Sequence, residues 1–152
     1  MMLFMRNLPV QGSTVIPSMR YRDAHAAIDW LVRVFGFEKQ AVYDGPDGTV
    51  AHAQLKLGGG MVMLGSASNP NRHPQFYSLP EENGGRVTSP IYIVVADCEP
   101  VYARAKTAGV EIVQELETMD YGGKAFTVRD PEGYTWSAGE YDPWAEPSEE
   151  QA

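Results

Sequence analysis

A chain of 152 residues with 43% hydrophobic content can build one compact domain or two small modules sharing a core, and it is too apolar to stay disordered. Its formal net charge of −8 argues against nonspecific binding to nucleic acid or anionic membranes, and no apolar run approaches the ~20 residues needed to span a bilayer. Cys98 is the single cysteine, which excludes an internal disulfide and a cysteine-based zinc cluster and fits a reducing cytoplasm.

Residues 1–12 read as a terminal arm, because Met1-Met2-Leu3-Phe4-Met5 is too short for a secretory apolar region and no basic segment precedes it. Residues 14–21 read as a strand, with Pro17 confining it to an edge or a bulge. Asp23 is a helix N-cap, and Ala24, Ala27, Ile28, Leu31 and Phe35 recur at helical spacing before Gly36 stops the helix. A turn cluster at 44–48 leads to strict alternation, with Ala51, Ala53, Leu55 and Leu57 on one face and His52, Gln54 and Lys56 on the other. Gly58-Gly59-Gly60 then reverses the chain into Met61-Val62-Met63-Leu64. Residues 13–66 thus read as a first β-α-β-β-β module.

Residues 67–88 are rich in Ser, Asn, Pro and Gly and long for an internal connection, so they read as a linker or a lid carrying His73, Pro74, Phe76 and Tyr77. Residues 89–141 repeat the first order. A strand from Ile91 to Val95 precedes the cap Asp97, a helix with Val101, Ala105 and Ala108 on its apolar stripe, the stop Gly109 and a strand over 110–116. Asp130-Pro131-Glu132-Gly133 then joins two runs rich in β-branched and aromatic residues into a closing hairpin. The same elements in the same order read as a duplication. Residues 142–152 form an acidic tail, expected to be extended and solvated.

Three passages carry a resemblance to a known family. They are Tyr21-Arg22-Asp23-Ala24-His25-Ala26-Ala27-Ile28-Asp29-Trp30 with Val34-Phe35-Gly36-Phe37-Glu38, the strands around His52-Ala53-Gln54-Leu55 and Met61-Val62-Met63-Leu64-Gly65, and Asp130-Pro131-Glu132-Gly133-Tyr134-Thr135-Trp136. Over residues 14–141 the chain resembles the vicinal oxygen chelate superfamily of glyoxalase I, bleomycin-resistance proteins and extradiol dioxygenases. It is most similar to bleomycin-resistance-like members that lack metal ligands. The resemblance implies an α+β fold of two tandem βαβββ modules, whose curved mixed sheets enclose a cavity, commonly within a homodimer.

Enzymes of that family hold a divalent metal through the first and last strands of each module. The matching positions here are Ile16, Met63, Ile91 and Ser137. Isoleucine has no lone pair to donate, methionine is too soft for an oxygen-rich site, and serine is a weak ligand. No metal and no cofactor are therefore expected. Alternation places Ile16, Ser18, Met61, Met63, Ile91, Ile93 and Ser137 on the vacated side, an apolar floor with a few hydroxyls suited to a flat organic ligand. Trp136 falls on the opposite face and reads as core. Glu140, three residues past Ser137, falls there too and is rejected as a displaced metal ligand.

His52 with Gln54 is the polar pair aimed at the ligand side, and His52 is the candidate general base. His25 reads as solvated. Tyr121 and Lys124 flank glycines on the expected cavity rim. The expected function is metal-independent sequestration of a small aromatic or cationic molecule, as in drug resistance, by a cytoplasmic homodimer. Two alternatives stand beside it: a lyase or isomerase using His52 or an unrecognised metal site, and a structural or regulatory dimer with a vestigial cavity.

Overall fold

The computed structural model describes residues 11–69 and 76–145, so most of the N-terminal arm, His73, Pro74 and the end of the tail lie outside the described residues. The chain divides into two compact units, Met1–Asn83 and Gly84–Ala152. In the first, β1 (Ser18–Tyr21), α1 (Ala24–Phe35), β2 (Glu38–Asp44), β3 (Val50–Leu57) and β4 (Gly60–Ser66) follow in order. In the second, β5 (Ile91–Val94), α2 (Cys98–Thr107), β6 (Glu111–Thr118), β7 (Lys124–Arg129) and β8 (Thr135–Gly139) repeat the sequence. The two sheets have the orders β1-β4-β3-β2 and β5-β8-β7-β6. In each, the first strand runs parallel to the last, and the other pairs are antiparallel. The duplication and the α+β class read from the sequence are present in this topology.

The helix boundaries follow from local chemistry. The Asp23 carboxylate accepts the Ala26 amide at 3.0 Å, and Gly36 closes α1 with φ 79°, a left-handed conformation that costs glycine little. Asp97 caps α2 through the Glu99 amide at 3.1 Å. The expected stripe of α1 is the buried one: Ala24, Ala27, Ile28, Leu31 and Phe35 all face inward, together with Trp30 and Val34. They pack toward the face of the first sheet that carries Met19, Tyr21, Ala53, Leu55, Val62 and Leu64, all buried. The first strand is shorter than expected. Pro17 has no amide to donate, and only its carbonyl joins the sheet, accepting the Met63 amide at 2.9 Å.

The second sheet turns Phe126, Val128, Trp136 and Ala138 to its helix side, each with no exposed surface. Tyr102 of α2 meets Phe126 edge-on, with ring centroids 5.1 Å apart. The closing hairpin is organised by one carboxylate. Buried Asp130 accepts the Glu132 and Tyr134 amides at 3.0 Å each through one oxygen, and through the other the Trp136 indole N–H at 3.1 Å. Gly133 completes the turn at φ 99°. Asp130 thus satisfies both the turn and the fully buried indole. Asp130→Ala strands that indole N–H and frees the turn, so urea denaturation should show a loss of about 2–4 kcal/mol. Pro131→Ala, at the exposed corner beside it, loosens only the unfolded chain and should cost less than about 1 kcal/mol in the same assay.

Candidate functional site

Each sheet has one face committed to its helix and another turned away from it, and the pairing registers state which residues share the latter. In the first unit Ser18 pairs with Met63, Gln54 with Met63, Lys56 with Met61, and Tyr43 with His52. Ser18, Met61, Met63, His52 and Gln54 therefore share one face, as expected from alternation. Arg20 and Tyr43 join them, two residues that alternation along β3 and β4 alone does not reveal. Arg20 pairs with Gly65 and sends one guanidinium N–H to the Met19 carbonyl at 3.2 Å. Ile16 precedes β1 and is half-buried.

The polar part of this face is a chain of side chains. His52 Nε2 lies 3.0 Å from Gln54 Oε1, and Gln54 Nε2 donates to Gln40 Oε1. Gln40 reaches the chain because β2 carries a bulge there. Lys39 pairs with Leu55 and Ala41 pairs with Gln54, so Gln40 is the extra residue between them. A bulge re-aims the side chain it inserts, and here it brings a second amide to the face of Gln54. Lys39 turns the other way, toward Asp29 of α1 at 3.7 Å. The Tyr43 ring lies nearly parallel to the imidazole, at 23° with centroids 6.2 Å apart.

In the second unit the structure corrects two expected site residues. Ile91 pairs with Trp136 and Ile93 with Ala138, so both isoleucines lie on the helix side, and Ile93 is buried. Tyr92 instead pairs with Ser137. The cause is an odd count: Ile16 precedes its cap Asp23 by seven residues, and Ile91 precedes Asp97 by six. With a two-residue period, an odd slip moves every side chain to the other face. The position seven before Asp97 is Pro90, which offers no side-chain donor. Lys124 is corrected as well. Its ammonium pairs with Glu99 of α2 at 2.7 Å, on the helix side of β7.

The face away from α2 carries Ser137, Thr127 and Tyr92. Ser137 and Thr127 share a hydrogen bond at 2.6 Å, which the cross-strand register makes possible. The Tyr92 ring covers Gly139, where an added Cβ would collide with it. Its hydroxyl donates to the Tyr141 carbonyl at 2.8 Å, and burial pushes its phenol pKa up, so it stays a neutral donor. Tyr121 lies in the turn before β7, with its ring edge-on to Tyr141 at 5.5 Å.

Glu140 faces the helix side, as counting from Ser137 requires, and has a structural task there. Its carboxylate accepts the Cys98 amide at 2.9 Å and the Lys124 amide at 3.0 Å, joining the start of α2 to β7. Those two backbone N–H groups, Cys98 first, hold its pKa below the ordinary carboxylate value. The buried Cys98 thiol donates to the Lys124 and Ala138 carbonyls, and burial, followed by the nearby Glu140 charge, pushes its pKa up to about 11. It is a core residue and a poor nucleophile at neutral pH.

The donor set does not fit a divalent metal. Ile16, Met63, Pro90 and Ser137 stand where the resemblance requires ligands, and among the described residues no three His, Cys, Asp or Glu side chains gather into a metal-holding group. No helix among the described residues is long and apolar enough to cross a membrane. A group whose folded pKa is lowered adds stability above its unfolded pKa, and that stability is lost as pH falls through the folded value. Glu140→Gln should therefore have a lower urea midpoint than the parent chain at pH 7. The two midpoints should converge as the pH is brought below about 4, the ordinary carboxylate range.

The family model of the Glyoxalase/Bleomycin resistance protein/Dioxygenase superfamily matches residues 14–138. An uncharacterized protein of Mycobacterium bovis is 31% identical over 133 residues, covering 82% of this chain and 80% of its own. The crystal structure of TioX from Micromonospora sp. ML1 superposes with a TM-score of 0.68 at 34% identity, covering 86% of this chain and 100% of that one. A fosfomycin resistance protein of Listeria monocytogenes, crystallised as a mutant with manganese(II), shares the fold at a TM-score of 0.62. It is 14% identical and covers 89% of this chain and 94% of its own.

Proposed function

The chain belongs to the glyoxalase/bleomycin resistance protein/dioxygenase superfamily, and from that membership we propose that it is a metal-independent small-molecule-binding protein that sequesters an organic ligand. Members of the superfamily bind small ligands and often form dimers. The observation that carries the proposal is the substitution of ligating positions by Ile16, Met63, Pro90 and Ser137 on a fold otherwise retained. Losing the metal removes the usual chemistry and leaves surfaces that bind. Met61 and Met63 supply an adaptable apolar strip, with the Ser18 hydroxyl at its edge, beside the polar His52–Gln54–Gln40 chain, and thioethers accommodate varied flat ligands. Sequestration needs no reacting group.

The protein acts in this reading as a cytoplasmic homodimer, and its acidic charge favours cationic over anionic ligands at long range. Thermal unfolding in EDTA, across a panel of antibiotics and planar aromatic metabolites, tests it. A ligand that binds only the folded state stabilises it by about 2.7 kcal/mol at one hundred times its Kd. Met63→Lys, which puts a charge into the strip, should weaken any such hit at least about tenfold while the dimer persists in size-exclusion chromatography. A stoichiometric divalent ion whose removal abolishes ligand binding would sink the proposal. No hit across the panel would point to a vestigial surface instead.

A further inference from the structure

The hydrogen-bond chain on the first sheet has a direction, and the direction determines what His52 offers. Gln54 Nε2 donates to Gln40 Oε1, which orients the Gln54 amide and leaves its Oε1 toward His52. A carbonyl oxygen has no proton to give. The 3.0 Å contact is therefore a hydrogen bond only if His52 Nε2 is the donor. A neutral imidazole carries one N–H, so Nδ1 then holds a lone pair. Among the described residues no donor is bonded to Nδ1.

The restraint comes from the bulge in β2. In the register that sets Tyr43 opposite His52 and Ala41 opposite Gln54, a regular strand would put Gln40 opposite Leu55 on the helix side. The inserted residue keeps its amide on the face of Gln54 instead. With Gln40 inserted, three side chains on two strands lock one tautomer. Beside His52 stands the exposed Tyr43 ring, nearly parallel to it, and beside Gln54 stands the Met63 thioether. A flat aromatic ring can lie along Tyr43 and Met63 with a polar substituent at the imidazole.

We propose that the Gln40–Gln54–His52 chain fixes His52 as an Nε2–H imidazole whose Nδ1 accepts a hydrogen bond, so that this face selects planar aromatic ligands bearing an N–H or O–H group. This rests on the sequestering reading for the ligand, while the tautomer stands apart from it. His52 is thereby a specificity-determining residue, and Gln40 and Gln54 are positioning residues. A ligand with only acceptors would meet the Nδ1 lone pair and be disfavoured.

Two measurements test this. The first is a long-range proton–nitrogen correlation spectrum at about pH 8.5, above the ordinary imidazole range, with His52 assigned by comparison with His25→Gln and His73→Gln chains. It should show Nε2–H and a bare Nδ1, and a ring protonated on Nδ1 would overturn the assignment. Gln54→Leu should give a tautomer mixture, whereas Gln54→Glu, still an acceptor, should keep Nε2–H. An unchanged spectrum in Gln54→Leu would show that the glutamine chain does not set the tautomer.

The second is fluorescence titration with 2-naphthol and with 2-methoxynaphthalene, which differ in the donor. The parent chain should prefer 2-naphthol by about fivefold or more, the worth of one net hydrogen bond. The preference should vanish in Gln54→Leu and survive in Gln54→Glu. Equal affinity for both probes, with the Nε2–H spectrum intact, would overturn the selection for donors and leave sequestration standing. Binding of neither probe would overturn the planar-aromatic class, while sequestration is decided by the wider ligand panel.

Discussion

A strand presents successive side chains to opposite faces, and each four-stranded sheet here has one helix to pack against. That pairing of a two-residue period with a single helix governs the rest of the structure. One set of side chains must be apolar to bury α1 or α2, and Leu55, Leu64, Phe126 and Trp136 meet that demand with no exposed surface. The alternate set has no such obligation. It can carry methionine, histidine, glutamine and serine without disturbing the fold, and this is why function can change across a family whose architecture does not.

The polar groups that do enter the helix side are each satisfied by a built arrangement. Asp130 absorbs two backbone amides and the Trp136 indole, and Glu140 absorbs two amides at the junction of α2 and β7. Without these carboxylates the buried Trp136 indole N–H and four part-buried amides would lose these partners, the indole at the largest penalty. The closing hairpin that makes the family recognisable is therefore a stability element. On its opposite face the same hairpin brings Thr127 and Ser137 together. Hydroxyls bonded to each other are weak metal donors and adequate ligand contacts.

Much of this is legible in the sequence because it depends on near neighbours. Asp23, Gly36, Asp97 and Gly133 work through contacts within a few residues, so caps and turns can be read directly. The face of Ser18, His52, Gln54, Met61 and Met63 follows from counting along uninterrupted strands. Counting fails where a strand has to be anchored from outside. The count from Asp97 to Ile91 is one residue short of the count in the first module, and a single residue exchanges Ile91 and Ile93 with Tyr92. Lys124 has glycine neighbours that suggest a cavity rim, but its partner Glu99 lies 25 residues away and draws it to the helix side. Thr127 can be found from Ser137 by pairing back across the turn.

The sequence by itself determined the duplicated βαβββ order, the helix ends and the core stripe of α1, because these rest on periodicity and on local capping. Of the stripe expected for α2 only Ala105 is buried. Only the tertiary structure decided which residues share a face across strands and how they are oriented. Register depends on partners distant in the chain, and a bulge changes it without a mark in composition. Gln40 shows the difference most plainly. Nothing in Glu38-Lys39-Gln40-Ala41 signals an inserted residue, and yet that insertion brings an amide to Gln54 and sets the proton on His52.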